Sequence, residues 1–155
     1  MEPRPAYSPP DWFTSHIFNP AVAALTRAGV SVLGSRVLRI RGRTSGVWRE
    51  TPVNLLTLRG QCYLVAARGQ TQWVRNLRAS RQGELRVGST TQTFTAEELA
   101  DAEKAAVLRA YLRKWRWEVG AFFAGVGPDA SESELLTEGR HHPVFRLQWS
   151  SSSDG

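Results

Sequence analysis

Short extended runs, some of them joined by turns of only two residues, govern what this chain can fold into. The first and last of these runs alternate without helical spacing, as the side chains of strands do, and the others are extended or short strand segments. The runs are 36–41, 48–58, 61–67, 84–87, 90–95 and 143–149. Arg59-Gly60 and Gly88-Ser89 are tight hairpin signals, and strands joined this closely pair antiparallel. The pattern predicts an antiparallel sheet that closes into a small barrel.

The segments between these runs carry helical signals. A helix begins at Asn19-Pro20, where asparagine can cap and proline fits the first turn, and another helix covers 71–79. Asp101 is the expected N-cap of a longer helix with one apolar stripe, and Ser131 begins a capping box for a short helix. Because these helices would cover the sheet, the predicted fold class is mainly β with flanking helices, an α+β arrangement.

Length and charge narrow the domain organisation and the partners. At 155 residues the chain is one domain by length, and its net charge of +6 with a sequence pI near 10.4 favours anionic ligands. We expect a flexible segment at 1–18, a single domain at 19–149 and a disordered tail at 150–155. The arginines cluster at turns rather than along one recognition helix, so we expect no nucleic-acid partner.

Cysteine usage and hydropathy predict a cytoplasmic protein. The single cysteine, Cys62, excludes an internal disulfide and favours a reducing compartment. The sequence shows no signal peptide and no apolar run near the ~20 residues that span a bilayer. Peripheral membrane contact through 12–17 stays an open alternative. The adjacent histidines His141 and His142 point to opposite faces of an extended segment, so no metal site is expected.

The motif GRTSGVWRETP, residues 42–52, is the main candidate for ligand chemistry. Its two glycines allow a tight reversal whose backbone N–H groups can converge on an anion, and Thr44 and Ser45 add hydroxyl donors. Arg43 and Arg49 flank the turn and can form bidentate hydrogen bonds to a phosphate. The alternative is an ordinary hairpin with solvated arginines. The Walker loop and the dinucleotide fingerprint are both excluded, because no lysine follows the second glycine and a strand follows the turn.

A second glycine turn strengthens the prediction of an anion site. Arg68 precedes Gly69, and a helix begins near Thr71, so a third arginine and a helix N-terminus are expected at the same end of the sheet. Trp73 in the first helical turn offers a flat apolar wall for a ring, and Asn76 follows one turn later.

The stretch GRTSGVWRETPVNLLTLRGQCYLVAARGQTQWVRNLRAS resembles the region shared by the deazaflavin-dependent nitroreductase family, whose members use coenzyme F420. The paired motifs GRxSGxxRxTP and WxxNLRA carry the resemblance, which extends from the helix at Asn19-Pro20 to the final HPVFRL strand. It implies a split β-barrel of the flavin-reductase and FMN-binding type. It also implies an F420H2-dependent oxidoreductase that passes hydride to a quinone, a nitro compound or an activated enone.

The resemblance further implies which residues hold the cofactor. It places the phosphate in the 42–52 motif, the deazaflavin ring against 65–68, and two residues of the following helix around the pocket. The implied cofactor-binding residues are Arg43, Thr44, Ser45, Arg49, Thr51, Pro52, Val65, Ala66, Ala67, Arg68, Trp73 and Asn76. The family often has lysine where this chain has Thr44.

Several alternatives stay open from the sequence. No catalytic residue is assigned, although His141, His142, Tyr63 or Tyr111 could donate a proton. A carrier of deazaflavin or of a hydrophobic ligand, without catalysis, and an FMN enzyme on a similar barrel are the competing functions. The expected partner is a small-molecule electron acceptor, and the chain is expected to be a monomer or a homodimer.

Overall fold

The computed structural model describes residues 35–87 and 89–150, so the expected helix at Asn19-Pro20 and the segments 1–18 and 151–155 lie outside the described residues. In the described part, two 3-10 turns accompany six strands and three α-helices. The strands are β1 (Ser35–Arg41), β2 (Trp48–Leu58), β3 (Gln61–Val65), β4 (Gln82–Val87), β5 (Thr90–Glu98) and β6 (Val144–Trp149). The helices are α1 (Gln72–Ser80), α2 (Ala105–Val119) and α3 (Glu132–Gly139).

The six strands form a closed antiparallel barrel in the order β1-β2-β3-β6-β5-β4. This confirms the predicted mainly β fold with flanking helices. The hairpin between β2 and β3 is also confirmed, since Arg59 and Gly60 both have positive φ, at 52° and 79°. Two positive φ values in a two-residue loop match the right-handed twist of the strands that the loop joins.

Alternate strand residues point into the barrel and form one core. Leu38 and Ile40 of β1 pack there with residues from the other strands, and Val74 and Leu77 of α1 join the same cluster. Strand side chains two residues apart therefore pack against α1 side chains three residues apart in the same core.

A second core lies on the outer side of β2, β3 and β6. Leu56, Tyr63 and Val144 contribute the strand side of this core, and α2 covers them with Leu108 and Leu112. The α3 helix adds to the same core. Its capping box is formed as expected, with Glu134 N–H donating to Ser131 Oγ at 3.1 Å and Ser131 N–H donating to Glu134 Oε1 at 3.0 Å.

Four predicted boundaries differ from the structure by two residues or more, and one of them is the start of β4, at Gln82 instead of Glu84. Asp101 does not cap α2: it begins a 3-10 turn, and its carboxylate pairs with Lys104 Nζ at 2.8 Å, so α2 begins only at Ala105. Strand β3 ends at Val65, two residues early, because the chain turns there. Strand β5 runs on to Glu98, where it pairs with Phe145 of β6.

Candidate functional site

A cavity of about 660 Å³ lies between the β1–β2 turn and the first turns of α1. Its volume is that of a pocket for a drug-sized or cofactor-sized ligand. It is lined by Leu38, Ile40, Gly42, Arg43, Thr44, Ser45, Arg49, Glu50, Thr51, Thr71, Gln72, Trp73 and Asn76.

The β1–β2 turn is closed by its own backbone. Gly42 N–H donates to Val47 C=O at 2.8 Å, and Gly46 N–H donates to Gly42 C=O at 2.9 Å. Gly46 has a φ of +74°, and a Cβ on Gly42 would lie 2.9 Å from Ser45 Oγ. Both glycines are therefore needed where they stand. The turn leaves Arg43, Thr44 and Ser45 exposed at the mouth of the cavity.

Arg43 fastens this turn to α1. Its backbone N–H donates to Asn76 Oδ1 at 3.0 Å, and its Nη1 donates to the same oxygen at 2.8 Å and to Gln72 Oε1 at 2.9 Å. Asn76 is only 5% exposed. The partners of the guanidinium are neutral amides and not carboxylates, so its positive charge is available to an anionic ligand.

The N-terminus of α1 adds unpaired hydrogen-bond donors to the cavity. The first backbone N–H groups of a helix have no partner within the helix, and Thr71 at the N-cap does not supply one through its side chain. The first turn contains no acidic residue. The Thr71 hydroxyl is buried and has no hydrogen-bond partner among residues 35–87 and 89–150. This end of the cavity is suited to an anion or another strong acceptor.

The other part of the cavity is lined by apolar side chains. Trp73 is half-buried and packs at a tilt on Phe145, with ring centroids 6.0 Å apart. Leu38 and Ile40 contribute at 0% and 1% exposure. A ligand with a charged part and a flat apolar part would meet both kinds of surface.

Glu50 also belongs to the lining, and its carboxylate is held by two arginines on the outer face of the barrel. Its Oε2 lies 3.0 Å from Arg39 Nε and 2.6 Å from Arg86 Nη2. Arg39 also pairs with Glu84 at 2.6 Å. The pairing offsets the negative charge of Glu50, so the electrostatic field in the cavity is set mainly by Arg43 and Arg49.

Seven of the twelve residues predicted from the sequence line this cavity. They are Arg43, Thr44, Ser45, Arg49, Thr51, Trp73 and Asn76. The structure does not place the other five in its lining. They are Pro52, Val65, Ala66, Ala67 and Arg68.

The pleat explains most of this division. Val53 and Leu55 of β2 pack with the barrel interior, whereas Pro52 takes the outer face of the strand with Leu56. The remaining four belong to the end of β3 and the chain that leaves it. Ala66 is buried in the barrel core, Val65 and Ala67 pack in the outer core, and the Arg68 guanidinium lies over the Phe122 ring, 5.5 Å from its centroid. Contact of these residues with a cofactor stays a prediction.

The sequence-based prediction omitted several residues of the cavity. Thr71 and Gln72 could have been found from the helix start after Gly69, because an N-cap and the residue after it face whatever the helix N-terminus binds. Leu38 and Ile40 gave no such signal, because alternation in β1 marks them only as core residues.

The candidate proton donors lie away from this cavity. Tyr111 is 2% exposed, and its burial raises the pKa of its hydroxyl, as does the negative charge of Glu118. His142 is buried and His141 is exposed, but the segment that carries them is a turn and not the expected extended chain, with His141 N–H donating to Glu138 C=O and His142 N–H to Gly139 C=O. Within residues 35–87 and 89–150, no group of three or more His, Cys, Asp or Glu side chains is placed to hold a metal ion.

Fold and cavity together define a split-barrel protein with an arginine-lined ligand site. A comparison with family models identifies its family. Residues 19–118 match the F420H(2)-dependent quinone reductase family. The chain belongs to this family. Coenzyme F420 is thus confirmed as the cofactor of its family, and the chain is an oxidoreductase of the F420-dependent class. No curated protein matches the sequence significantly.

Solved structures confirm the split-barrel fold at low sequence identity. An F420-H2 dependent reductase, FDR-A, is 17% identical over 74% of this chain and 94% of that chain, with a TM-score of 0.54. A chain described as a domain-swapped dimer is 16% identical over 87% of this chain and 98% of that chain, with a TM-score of 0.56. A putative 5-nitroimidazole antibiotic resistance protein from Bacteroides thetaiotaomicron is 12% identical over 81% and 79%, with a TM-score of 0.50.

Of the helices in the part of the chain that the structure describes, none has the length and hydropathy to cross a membrane.

Proposed function

We propose that this chain binds reduced coenzyme F420 in the cavity beside α1 and passes hydride from it to a small oxidised acceptor, a quinone, a nitro compound or an activated enone. Family membership supplies the cofactor class. One observation supports this site most directly: Arg43, Arg49 and two hydroxyl groups line the same cavity as the flat ring of Trp73. No other cavity is needed for the proposal.

The polar end of the cavity suits the phosphodiester of the cofactor. Arg43 and Arg49 supply charge and paired N–H donors, while Thr44 and Ser45 supply hydroxyls. The buried Thr71 hydroxyl without a partner supports the same fit, because an unsatisfied buried donor costs about 1–3 kcal/mol that a ligand oxygen would recover. The net charge of +6 also favours the acidic tail of this coenzyme.

The apolar end suits a planar ring. Trp73 offers a flat face, and Leu38 and Ile40 exclude water beside it. The segment 65–68 is the proposed second support of the ring. When bound, the coenzyme supplies the hydride, so the protein has only to bind it, orient it and keep water from the reacting atoms.

A fluorescence titration tests cofactor choice. We expect the protein to quench coenzyme F420 fluorescence saturably and to leave FMN fluorescence unchanged at the same concentrations. Quenching of FMN alone would contradict the proposal and favour a flavin enzyme on the same barrel.

A turnover assay separates an enzyme from a carrier. Protein with F420H2 should oxidise it when a quinone is added, and the rate should saturate with quinone concentration. Nitro compounds and activated enones form the comparison panel, because the family name gives quinones priority without excluding the others. Saturable F420 binding with no oxidation by any of the three classes would contradict the enzyme proposal and favour the carrier.

Light scattering tests the predicted monomer or homodimer. A monomer has a mass of 17.3 kDa, and a homodimer has twice that mass. One structurally similar chain is described as a domain-swapped dimer, so the dimer is the outcome to seek first. Cytoplasmic location and peripheral membrane contact stay predictions.

A further inference from the structure

A buried histidine and a buried glutamate join the end of α3 to the chain that leaves β3. His142 is 1% exposed and Glu138 is 7% exposed. Nε2 of the histidine lies 2.7 Å from Glu138 Oε2, and its Nδ1 lies 3.2 Å from the Ala66 carbonyl oxygen. The imidazole also stacks on Phe123, with centroids 3.9 Å apart and planes inclined by 13°. The ring is therefore fixed on both edges and on one face.

The partners determine where the protons lie. A carbonyl oxygen can only accept, so the hydrogen of the 3.2 Å contact is on Nδ1 of His142. One further proton lies between Nε2 and Glu138, either as imidazolium with carboxylate or as neutral imidazole with carboxylic acid. Both forms are neutral as a pair, which makes burial tolerable. Both also keep Nδ1–H directed at Ala66.

This contact leads to the proposed cofactor cavity through a short chain of backbone hydrogen bonds. The Ala66 carbonyl also accepts from Gly69 N–H at 3.1 Å, and Ala66 N–H donates to Pro143 C=O at 2.8 Å. Thr71 N–H then donates to Gly69 C=O at 2.9 Å. Thr71 is the N-cap of α1, and the cavity is lined by Thr71 and the two residues after it. The position of Ala66 thus bears on where α1 begins.

We infer that Glu138 and His142 are a positioning pair for the cofactor: they hold the 66–71 turn so that the first turn of α1 meets the ligand in the correct place. The inference rests on the proposed function, since it assigns the cavity to coenzyme F420. Neither side chain lines the cavity, so neither is a catalytic residue.

The variants follow from the proton count. Glu138→Gln can donate its amide N–H to Nε2 while Nδ1–H stays on Ala66, so both hydrogen bonds survive. The double variant Glu138→Leu/His142→Phe removes the carboxylate and the imidazole together and keeps an aromatic ring beside Phe123. Replacing a buried pair by apolar residues is often neutral for stability, so this variant is expected to fold.

Lys104→Met is the matched control. Lys104 is 3% exposed and donates to Gly139 C=O at 2.8 Å, so it fixes the same end of α3 without contacting Ala66. Its loss should lower the melting temperature and leave F420 affinity within about twofold of the native value.

The experiment measures the Kd of coenzyme F420 by fluorescence quenching and the melting temperature of each protein. We expect Glu138→Gln to bind within about twofold of native and the double variant to bind about fivefold to tenfold more weakly with little change in melting temperature. Loss of affinity without loss of stability is a result that a purely structural role would not give.

Two results would overturn the inference alone: native affinity in the double variant, or an equal loss of affinity in Lys104→Met. If the double variant does not fold, Glu138→Gln/His142→Phe replaces it, because this variant also removes the Nδ1–H that holds Ala66 and carries no buried charge. A loss of affinity no larger than that of the lysine variant would be equally adverse. Failure of the native protein to bind coenzyme F420 would instead remove the proposed function, and this inference with it.

Discussion

One side-chain oxygen of Asn76 accepts both the backbone N–H of Arg43, at 3.0 Å, and its guanidinium, at 2.8 Å. The amide is buried in α1, and the arginine lies in the exposed turn between β1 and β2. A helix and a hairpin that are 33 residues apart in the chain are thereby joined across the mouth of the cavity. The shape of the polar end depends on this junction.

Asn76→Leu should therefore weaken both the fold and the site. The substitution leaves the Arg43 N–H without its partner beside a buried apolar side chain, and we expect a loss of about 1–3 kcal/mol in the free energy of unfolding. Urea unfolding measures it. Gln72→Ala is the control, because it removes a single exposed hydrogen bond to the same guanidinium and should cost less than about 0.5 kcal/mol. Equal losses in the two variants would contradict a structural role for the Asn76 junction.

Glu50→Gln should strengthen the binding of an anionic cofactor. The substitution removes a negative charge beside the cavity and leaves Arg39 and Arg86 less neutralised. We expect the Kd of coenzyme F420 to fall by about twofold to fivefold at low salt, with a steeper salt dependence than in the native protein. Glu97→Gln is the control, because Glu97 pairs with Arg146 and does not line the cavity. A weaker affinity in Glu50→Gln would show that its carboxylate helps to bind the ligand.

Tyr111→Phe should change the stability of the fold at alkaline pH and leave the rate of quinone reduction unchanged. Burial raises the pKa of the Tyr111 hydroxyl, so the folded protein keeps a proton that the unfolded chain releases above its ordinary value of 10.0. Stability therefore falls as pH rises above that value, by about 1.4 kcal/mol for each unit, and the phenylalanine variant lacks this contribution.

Urea unfolding at pH 7 and pH 11 tests this sign. At pH 7 the variant should be less stable by about 1 kcal/mol, because it loses the polar interaction of the buried Tyr111 hydroxyl with Asn54. At pH 11 the difference should vanish or reverse. A difference that is the same at both pH values would refute the account, and a loss of quinone reduction would restore Tyr111 as a proton donor.

Most of the fold could be predicted from local pattern. β1 and β6 have the period of two, and the Arg59-Gly60 loop has the residues that a two-residue hairpin needs. The errors are at ends where tertiary contacts compete with local preference. Asp101 has the right side chain for an N-cap, but Lys104 lies three residues later and takes its carboxylate, a competition that cap statistics do not contain.

The site could be predicted only in part. The sequence shows how far apart residues are along the chain, but the pleat of each strand determines to which face their side chains point. Arg43 and Arg49 were identified from the turn between them, and both line the cavity. Pro52 is in the same motif but takes the outer face of β2, and Arg68 follows its neighbouring turn toward Phe122. Knowing which side of a strand is the barrel interior requires the register of all six strands, which no single motif carries.

Isothermal titration of coenzyme F420 into Arg43→Ala/Arg49→Ala tests the central claim, that these two side chains bind the anionic cofactor. The control is Arg59→Ala/Arg113→Ala, which removes the same charge from exposed positions outside the cavity. We predict that the cavity variant binds more than about tenfold more weakly than native and that the control stays within about twofold. Equal affinities in the two double variants, or no binding by the native protein, would contradict the claim.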